Sequence, residues 1–511
     1  MLQRRTSGIL LHPTSLPGPY GIGDLGSHAY QFVDYLVKAG QSTWQVLPLG
    51  PTGYGDSPYA SFSSFAGNPL LVSLDRLVED GDLEWKDIAP PVELRDDAVQ
   101  YGPVIHWKLN LLYQAAERFL KDASHSRRIA YEHFCQKQAS WLEDFALFIA
   151  LKYHFEEKAQ QENAPNSMWN VYWDHDIKWR ESEAVNYWRG RLGHSIAIRK
   201  VLQYYFFTQW LELKHYANDR GVSIIGDLPI YVASDSADVW SAPRQFMVDD
   251  ECRPTVVAGV PPDYFSATGQ RWGNPVYNWE AMRNDFFSWW VKRFEGTRTL
   301  VDIIRVDHFR GFQAGWTIPA HEETAINGEW VLAPGEELFR EIKKRLGDLP
   351  IIAEDLGLIT PAVEQLRLSQ GFPGMKVLQF AFDSLEDGST TFLPHNHEPA
   401  SVVYTGTHDN DTTIGWYEKC TDETKHRIEE YHGCAIGNPA WDFIRMALAS
   451  VCRTAIIPMQ DILSLNSEAR MNQPSLASGN WSWRMPADYA TQDSVGKLAH
   501  YTKLFQREPK Y

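Results

Sequence analysis

Short apolar runs closed by glycine, proline or polar turn residues recur along this chain. Eight stand out, at 8–11, 43–47, 222–226, 303–306, 350–353, 375–380, 401–405 and 455–459. Their brevity and β-branched content mark them as buried strands, because an amphipathic helix needs a longer stretch with a 3.6-residue period. Helical periodicity fills most of the gaps, as at 285–294, 336–345 and 361–369. Strands alternating with helices specify a parallel sheet, and a count of eight favours closure over an open doubly wound sheet. The expected fold is therefore α/β, a (β/α)8 TIM barrel.

The spacing is uneven. Strands one and two fall within 1–75, but the third, within 216–232, follows a gap far longer than a βα unit. Long amphipathic patterns at 107–123 and 128–157 lie in that gap, and another at 199–216 returns the chain to the sheet. Residues 76–215 are thus expected to form a mostly helical insertion after strand two. A second insertion, 233–285, is rich in proline, glycine and aromatic residues and reads as loop-rich. The remaining strands and the C-terminus occupy 286–511, with no internal repeat or low-complexity tract.

Composition narrows the partners. A net charge of −17 argues against nucleic acid and anionic membranes. No apolar run reaches the ~18 residues of a membrane helix. The first residues carry Arg4 and Arg5 but no leader-like apolar stretch, so a cytoplasmic location is expected. Five scattered cysteines without a C-x-x-C pair imply reduced, mostly buried thiols rather than disulfides or a zinc site. The 20 Trp, 23 Tyr and 24 Phe are mostly core material, although aromatic faces also stack on sugars. Oligomeric state is not legible at this level.

Three acids sit just past strand-like runs: Asp307 after Ile303-Ile304-Arg305-Val306, Glu354 after Ile351-Ile352-Ala353, and Asp409 after Val402-Val403-Tyr404 and a short turn. Carboxylates at the C-terminal tips of barrel strands face the mouth where the loops converge. Two carboxylates flanking a scissile bond are the tools of glycosidic chemistry. Arg305 and Asp307, two apart on a strand, point to the same side, so the guanidinium can hold the carboxylate ionised; a structural ion pair in a barrel core fits equally well. Glu354 suits a general acid if burial raises its pKa, though a lone Glu there is equally an ion-pair or capping residue, with Asp355 the better cap. His408, Asp409, Asn410 and Asp411 could bind hydroxyls of a distorted sugar or form an Asx turn; EF-hand spacing is absent.

Two apparent motifs fail on context. Gly21-Ile22-Gly23-Asp24-Leu25-Gly26 fits G-x-G-x-x-G but follows a proline-rich loop, not a strand. His321-Glu322-Glu323 lacks the second histidine of a zincin.

Seven segments in order resemble the 4-α-glucanotransferases (amylomaltase or disproportionating enzymes, glycoside hydrolase family 77). They are GILLHPTSLPGPYGIGDLG at 8–26, DSPYASFSSFAGNP at 56–69, GDLPIYVASDSADVW at 226–240, GVPPDYFSATGQRWGN at 259–274, RVDHFRG at 305–311, AEDLG at 353–357 and YTGTHDNDTT at 404–413. The resemblance implies a barrel enzyme acting on α-1,4-glucans and maltooligosaccharides with no metal or organic cofactor. It implies Asp307 as nucleophile, Glu354 as general acid/base and Asp409 as transition-state stabiliser. Tyr59, Asp227, Arg305, His408 and Asn472 fall on substrate-binding positions. Tyr264, Phe265, Gln270 and Trp272 fall on a cover over the acceptor side, and Tyr54 with Tyr101 on a remote glucan site. The chain departs from the pattern at Ser475, where the family often has Gly. Residue chemistry alone leaves two other functions open: an amylase-type hydrolase and a non-catalytic glucan-binding scaffold.

Overall fold

The computed structural model describes residues 4–91, 94–262, 266–382, 389–474, 476 and 478–509. Eight strands form one parallel sheet: β1 (Thr6–Leu10), β2 (Thr43–Val46), β3 (Ser223–Leu228), β4 (Ile303–Val306), β5 (Ile351–Ala353), β6 (Gly374–Val377), β7 (Ser401–Tyr404) and β8 (Thr454–Pro458). Neighbours pair in sequence order, and β8 pairs with β1. Between β5 and β6 the Ala353 N–H donates to the Pro373 carbonyl at 2.9 Å, bringing the last pair of edges together. The eight-stranded barrel anticipated from the apolar runs is therefore present.

Its walls tolerate no side chain at two points. A Cβ on Gly8 would lie 2.3 Å from the Thr43 carbonyl oxygen, and one on Gly226 would lie 2.4 Å from Val301 Cγ1. Inside, Tyr404 donates to Gln45 Oε1 at 2.9 Å, so two buried polar groups from β7 and β2 satisfy each other across the lumen. At the barrel base the buried Arg507 guanidinium donates to the carbonyls of Thr6, Leu448, Ser450, Cys452 and Arg453.

Between β2 and β3 the chain forms helices at Tyr101–Asp122, His125–Lys137, Leu142–Gln161, Ser182–Arg191 and Gly193–Asp219, among shorter ones. The single helix expected over 128–157 is two. The chain turns at 138–141 and seats the Trp141 indole among Phe65, Phe145 and Phe207. The long helix Gly193–Asp219 is moored to the barrel by buried amides. Gln203 exchanges hydrogen bonds with both backbone groups of Gly67, and Gln209 does the same with Ser73. The amphipathic pattern at 199–216 thus includes two buried polar residues that satisfy an irregular buried backbone.

The helix predicted over 285–294 begins later, at Ser288–Leu300. Asp285 accepts from the Ser288 N–H and hydroxyl, and Phe286 and Phe287 take positive φ before the first turn. The larger correction concerns 233–285. It contains strands Val256–Val260 and Gln270–Pro275, which join Ala314–Pro319 and Glu329–Leu332 in a four-stranded antiparallel sheet. Segments on both sides of β4 meet there around Val257, Ile318 and Ala325. No disulfide joins the described cysteines. Cys252 and Cys452 are buried but Cys434 is exposed, so the thiols are less uniformly buried than expected. Among the described residues no helix is long and apolar enough to cross a membrane.

Candidate active site

Parallel register places Asp227 of β3 opposite Arg305 of β4. The expected strand at 222–226 extends to Leu228, which puts Asp227 inside the sheet and aims it into the barrel. Arg305 is almost fully buried and contacts three acids. Nη1 lies 2.6 Å from Asp227 Oδ2 and 3.3 Å from Asp307 Oδ1, and Nη2 lies 3.3 Å from Glu354 Oε2. Its Nε points to Met375 Sδ on β6 at 3.4 Å. The pairing of Arg305 with Asp307 read from the sequence exists, but Asp227 holds the shorter contact. Burial raises the Asp227 carboxyl against the pull of Arg305. The Tyr59 hydroxyl also donates to Asp227 Oδ2, while Oδ1 has no partner among the described residues.

Asp307 and Glu354 follow the ends of adjacent strands, their N–H groups held by the Leu228 and Val306 carbonyls at 3.0 Å each. One guanidinium holds both carboxyls, Nη1 at 3.3 Å from Asp307 Oδ1 and Nη2 at 3.3 Å from Glu354 Oε2. Two neighbouring half-buried carboxyls cannot both ionise easily, so the pair retains a proton above the ordinary carboxylate range. Burial, reinforced by Glu354, raises Asp307 well above that range. Burial acts the same way on Glu354, but Arg305, the His308 N–H and Asp307 outweigh it and hold Glu354 low. The two directions, Asp307 raised and Glu354 lowered, run opposite to the expectation of an ionised Asp307 beside a raised Glu354.

The His308 N–H donates to Glu354 Oε2 at 2.7 Å because His308 adopts the left-handed region, φ 45° and ψ 53°. Its ring stands edge-on to Trp272 with centroids 4.9 Å apart. Burial lowers the His308 imidazole to about 4, so it is neutral near pH 7. Trp272 is 39 % exposed and lies on the antiparallel sheet, where its indole N–H donates to Gln270 Oε1 at 3.1 Å.

Asp409 enters from the loop after β7. His408 Nε2 lies 3.3 Å from Asp409 Oδ1, and Asn472 Nδ2 donates to the same oxygen at 2.6 Å. Arg470 donates to the Asp409 and Asn472 carbonyls at 2.6 and 2.7 Å. The His408 ring stacks on Tyr59 at 5.0 Å with 14° between planes. Tyr59, Asp227, Arg305, Asp307, Glu354, His408, Asp409 and Asn472, scattered through the sequence, thus share one network. The Thr407 N–H and hydroxyl both donate to Asn410 Oδ1, at 2.9 and 2.8 Å, so Asn410 ties the turn back to a residue before it rather than forming an Asx turn. Asp355, read as a helix cap, instead accepts the Met375 N–H and pairs with Arg367.

Tyr264 and Phe265 lie outside the described residues, as does the side chain of Tyr54. Tyr101 is buried and its hydroxyl donates to the Trp481 carbonyl at 3.0 Å. Sequence reasoning missed Trp481, which packs against both Tyr59 and His408. Its signal was a tryptophan in the polar, glycine-containing turn Ser478-Gly479-Asn480. His308 was passed over because its contribution is a backbone N–H. Among the described residues no three His, Cys, Asp or Glu side chains cluster as a metal site.

A family model described as 4-alpha-glucanotransferase matches residues 11–490. The chain is 50 % identical over 513 residues to a 4-alpha-glucanotransferase of Synechocystis, covering 99 % of each. It is 50 % identical over 491 residues to one of Thermus thermophilus, covering 94 % of this chain and 95 % of that protein. An amylomaltase from Streptococcus agalactiae solved in complex with acarbose superposes with a TM-score of 0.94 at 41 % identity, covering 99 % of this chain and all of that one.

Proposed function

The chain belongs to the 4-alpha-glucanotransferase family, and from that premise we propose a retaining double displacement through Asp307. The activity is 4-alpha-glucanotransfer, EC 2.4.1.25. The substrates proposed are α-1,4-glucans and maltooligosaccharides. Asp307 attacks the anomeric carbon as the bond from that carbon to the leaving 4-oxygen breaks. Glu354 delivers its proton to that oxygen, and a covalent glycosyl-aspartate remains. Glu354 then takes the proton from the 4-hydroxyl of an acceptor glucan, which attacks the anomeric carbon and frees Asp307. Atoms and charge balance over the cycle, and the anomeric configuration is retained.

One observation carries this reading: two carboxyls, at the ends of adjacent strands, held side by side on one guanidinium. Retaining pairs stand about 5–5.5 Å apart and inverting pairs about 6.5–9.5 Å, with room for a water between. Two carboxyls held 3.3 Å from the two Nη atoms of one guanidinium favour the closer spacing. The proton that the pair retains is the one Glu354 delivers. A sugar ring above the pair completes the exchange by offering Glu354 the glycosidic oxygen. Asp227 Oδ1 supplies an acceptor for a sugar hydroxyl, and Asp409, braced by Asn472, faces the positive charge that grows at the anomeric carbon.

Incubation with maltotriose should give free glucose together with chains longer than the substrate. Only shorter sugars, with reducing ends rising, would make the protein a hydrolase. An unchanged substrate would leave a binding scaffold. Glu354→Gln should lower transfer from maltotriose by roughly 10²–10⁴-fold, the usual worth of a general acid. Much of the first step should return with a glucosyl fluoride donor, whose leaving group needs no proton, as followed by fluoride release.

Transfer requires an acceptor sugar to displace water, and the exposed Trp272 face above His308 is the wall offered for it. Trp272→Ala removes an aromatic contact of about 0.5–1.5 kcal/mol, up to roughly tenfold. The ratio of transfer to hydrolysis should fall by about that factor. An unchanged ratio would move the acceptor wall elsewhere.

A further inference from the structure

We propose that Asp461 is a positioning residue that sets the Asp409 loop for catalysis. This inference rests on the reading of Asp409 as transition-state stabiliser. Asp461 lies just after β8, in the short helix Met459–Ile462, and is 1 % exposed. Among the described residues its hydrogen bonds go to Thr405 and Thr413, not to Asp307 or Glu354, and the double displacement does not use it.

Its partners show what it does. Oδ2 accepts the Thr405 hydroxyl at 2.5 Å and the Thr413 hydroxyl at 2.7 Å, and Oδ1 accepts the Thr413 N–H at 2.7 Å. Thr405 is the first residue beyond β7, and Thr413 is the first residue of the helix Thr413–Lys419. One buried carboxylate therefore clasps both ends of the loop that carries His408 and Asp409.

The loop also borders a small cavity lined by His12, Thr407, His408, Asn410 and Asp461 itself. Side chains along its wall have fewer packing contacts, so hydrogen bonds carry more of the task of holding them. Arg470 and Asn472 hold Asp409 from the far side, so the clasp fixes the ends of the loop while these two fix its middle. A carboxylate suits the task because it only accepts. It dictates the orientation of both threonine hydroxyls and satisfies the first N–H of the helix. Burial pushes the Asp461 carboxyl up, and its three donors oppose that push. Simple space-filling would not call for so costly a group.

Asp461→Asn keeps the shape but turns half of the acceptor into a donor. It should lower kcat on maltotriose by roughly 10–100-fold, the worth of one or two charge-assisted hydrogen bonds, with KM within about threefold. The thermal midpoint should move little. Combined with Asn472→Ala, which loosens Asp409 directly, the loss in kcat should fall well short of the product of the single losses. If Asp461→Asn does not fold, Thr405→Val with Thr413→Val opens the clasp from the other side and should show the same split between kcat and KM. A kcat per folded molecule within twofold of the parent would overturn the proposal. So would a KM that rises as much as kcat falls, or losses that multiply in full, since each marks a structural role only.

Discussion

Asp307→Asn should lower maltotriose turnover by on the order of 10⁴-fold or more, the scale seen when a covalent nucleophile is lost. The affinity for maltotriose should be retained, because the amide has the same shape and Arg305 keeps Asp227 and Glu354 as partners. The same substitution should make the protein more stable at neutral pH. Burial beside Glu354 raises the folded pKa of Asp307, so the folded state holds a proton that the unfolded chain has released. Such a group favours folding below its unfolded pKa and loses that contribution as pH rises through the folded value. Asn does not titrate. The gain in thermal midpoint should thus be largest above neutrality and shrink toward pH 4. A variant with near-parent turnover would remove Asp307 from the role of nucleophile. A stability difference that ignores pH would remove the electrostatic account of the pair.

Arg305→Met should cost about 3–5 kcal/mol of stability, as expected when one partner of a buried charge cluster is deleted. It would leave Asp227, Asp307 and Glu354 facing one another without a counter-charge. Asp227 and Asp307 would then rise further and Glu354 would lose the charge that holds it low, so the deficit should grow with increasing pH and narrow in acid, as read by urea unfolding at several pH values. Arg305→Lys should fail nearly as badly in activity. A single ammonium cannot reproduce two Nη atoms serving three acids while Nε meets Met375. A deficit independent of pH would mean that Arg305 matters through packing alone.

The sequence carried the strand ends and hence the three acids, because a short apolar run that stops at a carboxylate is a local pattern. It also carried Arg305 beside Asp307, which needs only the two-residue period of a strand. The dominant partner of Arg305 was not legible, since Asp227 meets it through the register of two strands separated by an insertion. The small antiparallel sheet was missed for the same reason. Its strands come from 256–275 and 314–332, with β4 between them, and neither half shows a hairpin partner on both faces. The break at 138–141 was hidden because helical periodicity continues through it, and only the seat of Trp141 reveals the turn. Proton placement lay furthest from the sequence. It depends on Glu354 sharing the Arg305 guanidinium with Asp307 and on a backbone N–H from His308, neither of which has a residue-type signature.

The left-handed backbone of His308 inverts the usual ranking of replacements at that position. A size-matched scale would favour bulky residues and penalise glycine. Here glycine adopts φ 45° without strain, asparagine nearly so, and valine or isoleucine only by moving the chain. Because the N–H at this position holds Glu354, a β-branched residue would disturb the acid/base group from a place its side chain never reaches. Variant libraries at 308 should therefore sort by torsional freedom rather than by volume or polarity. A screen that scores only side-chain contacts would reject the replacements the backbone tolerates best.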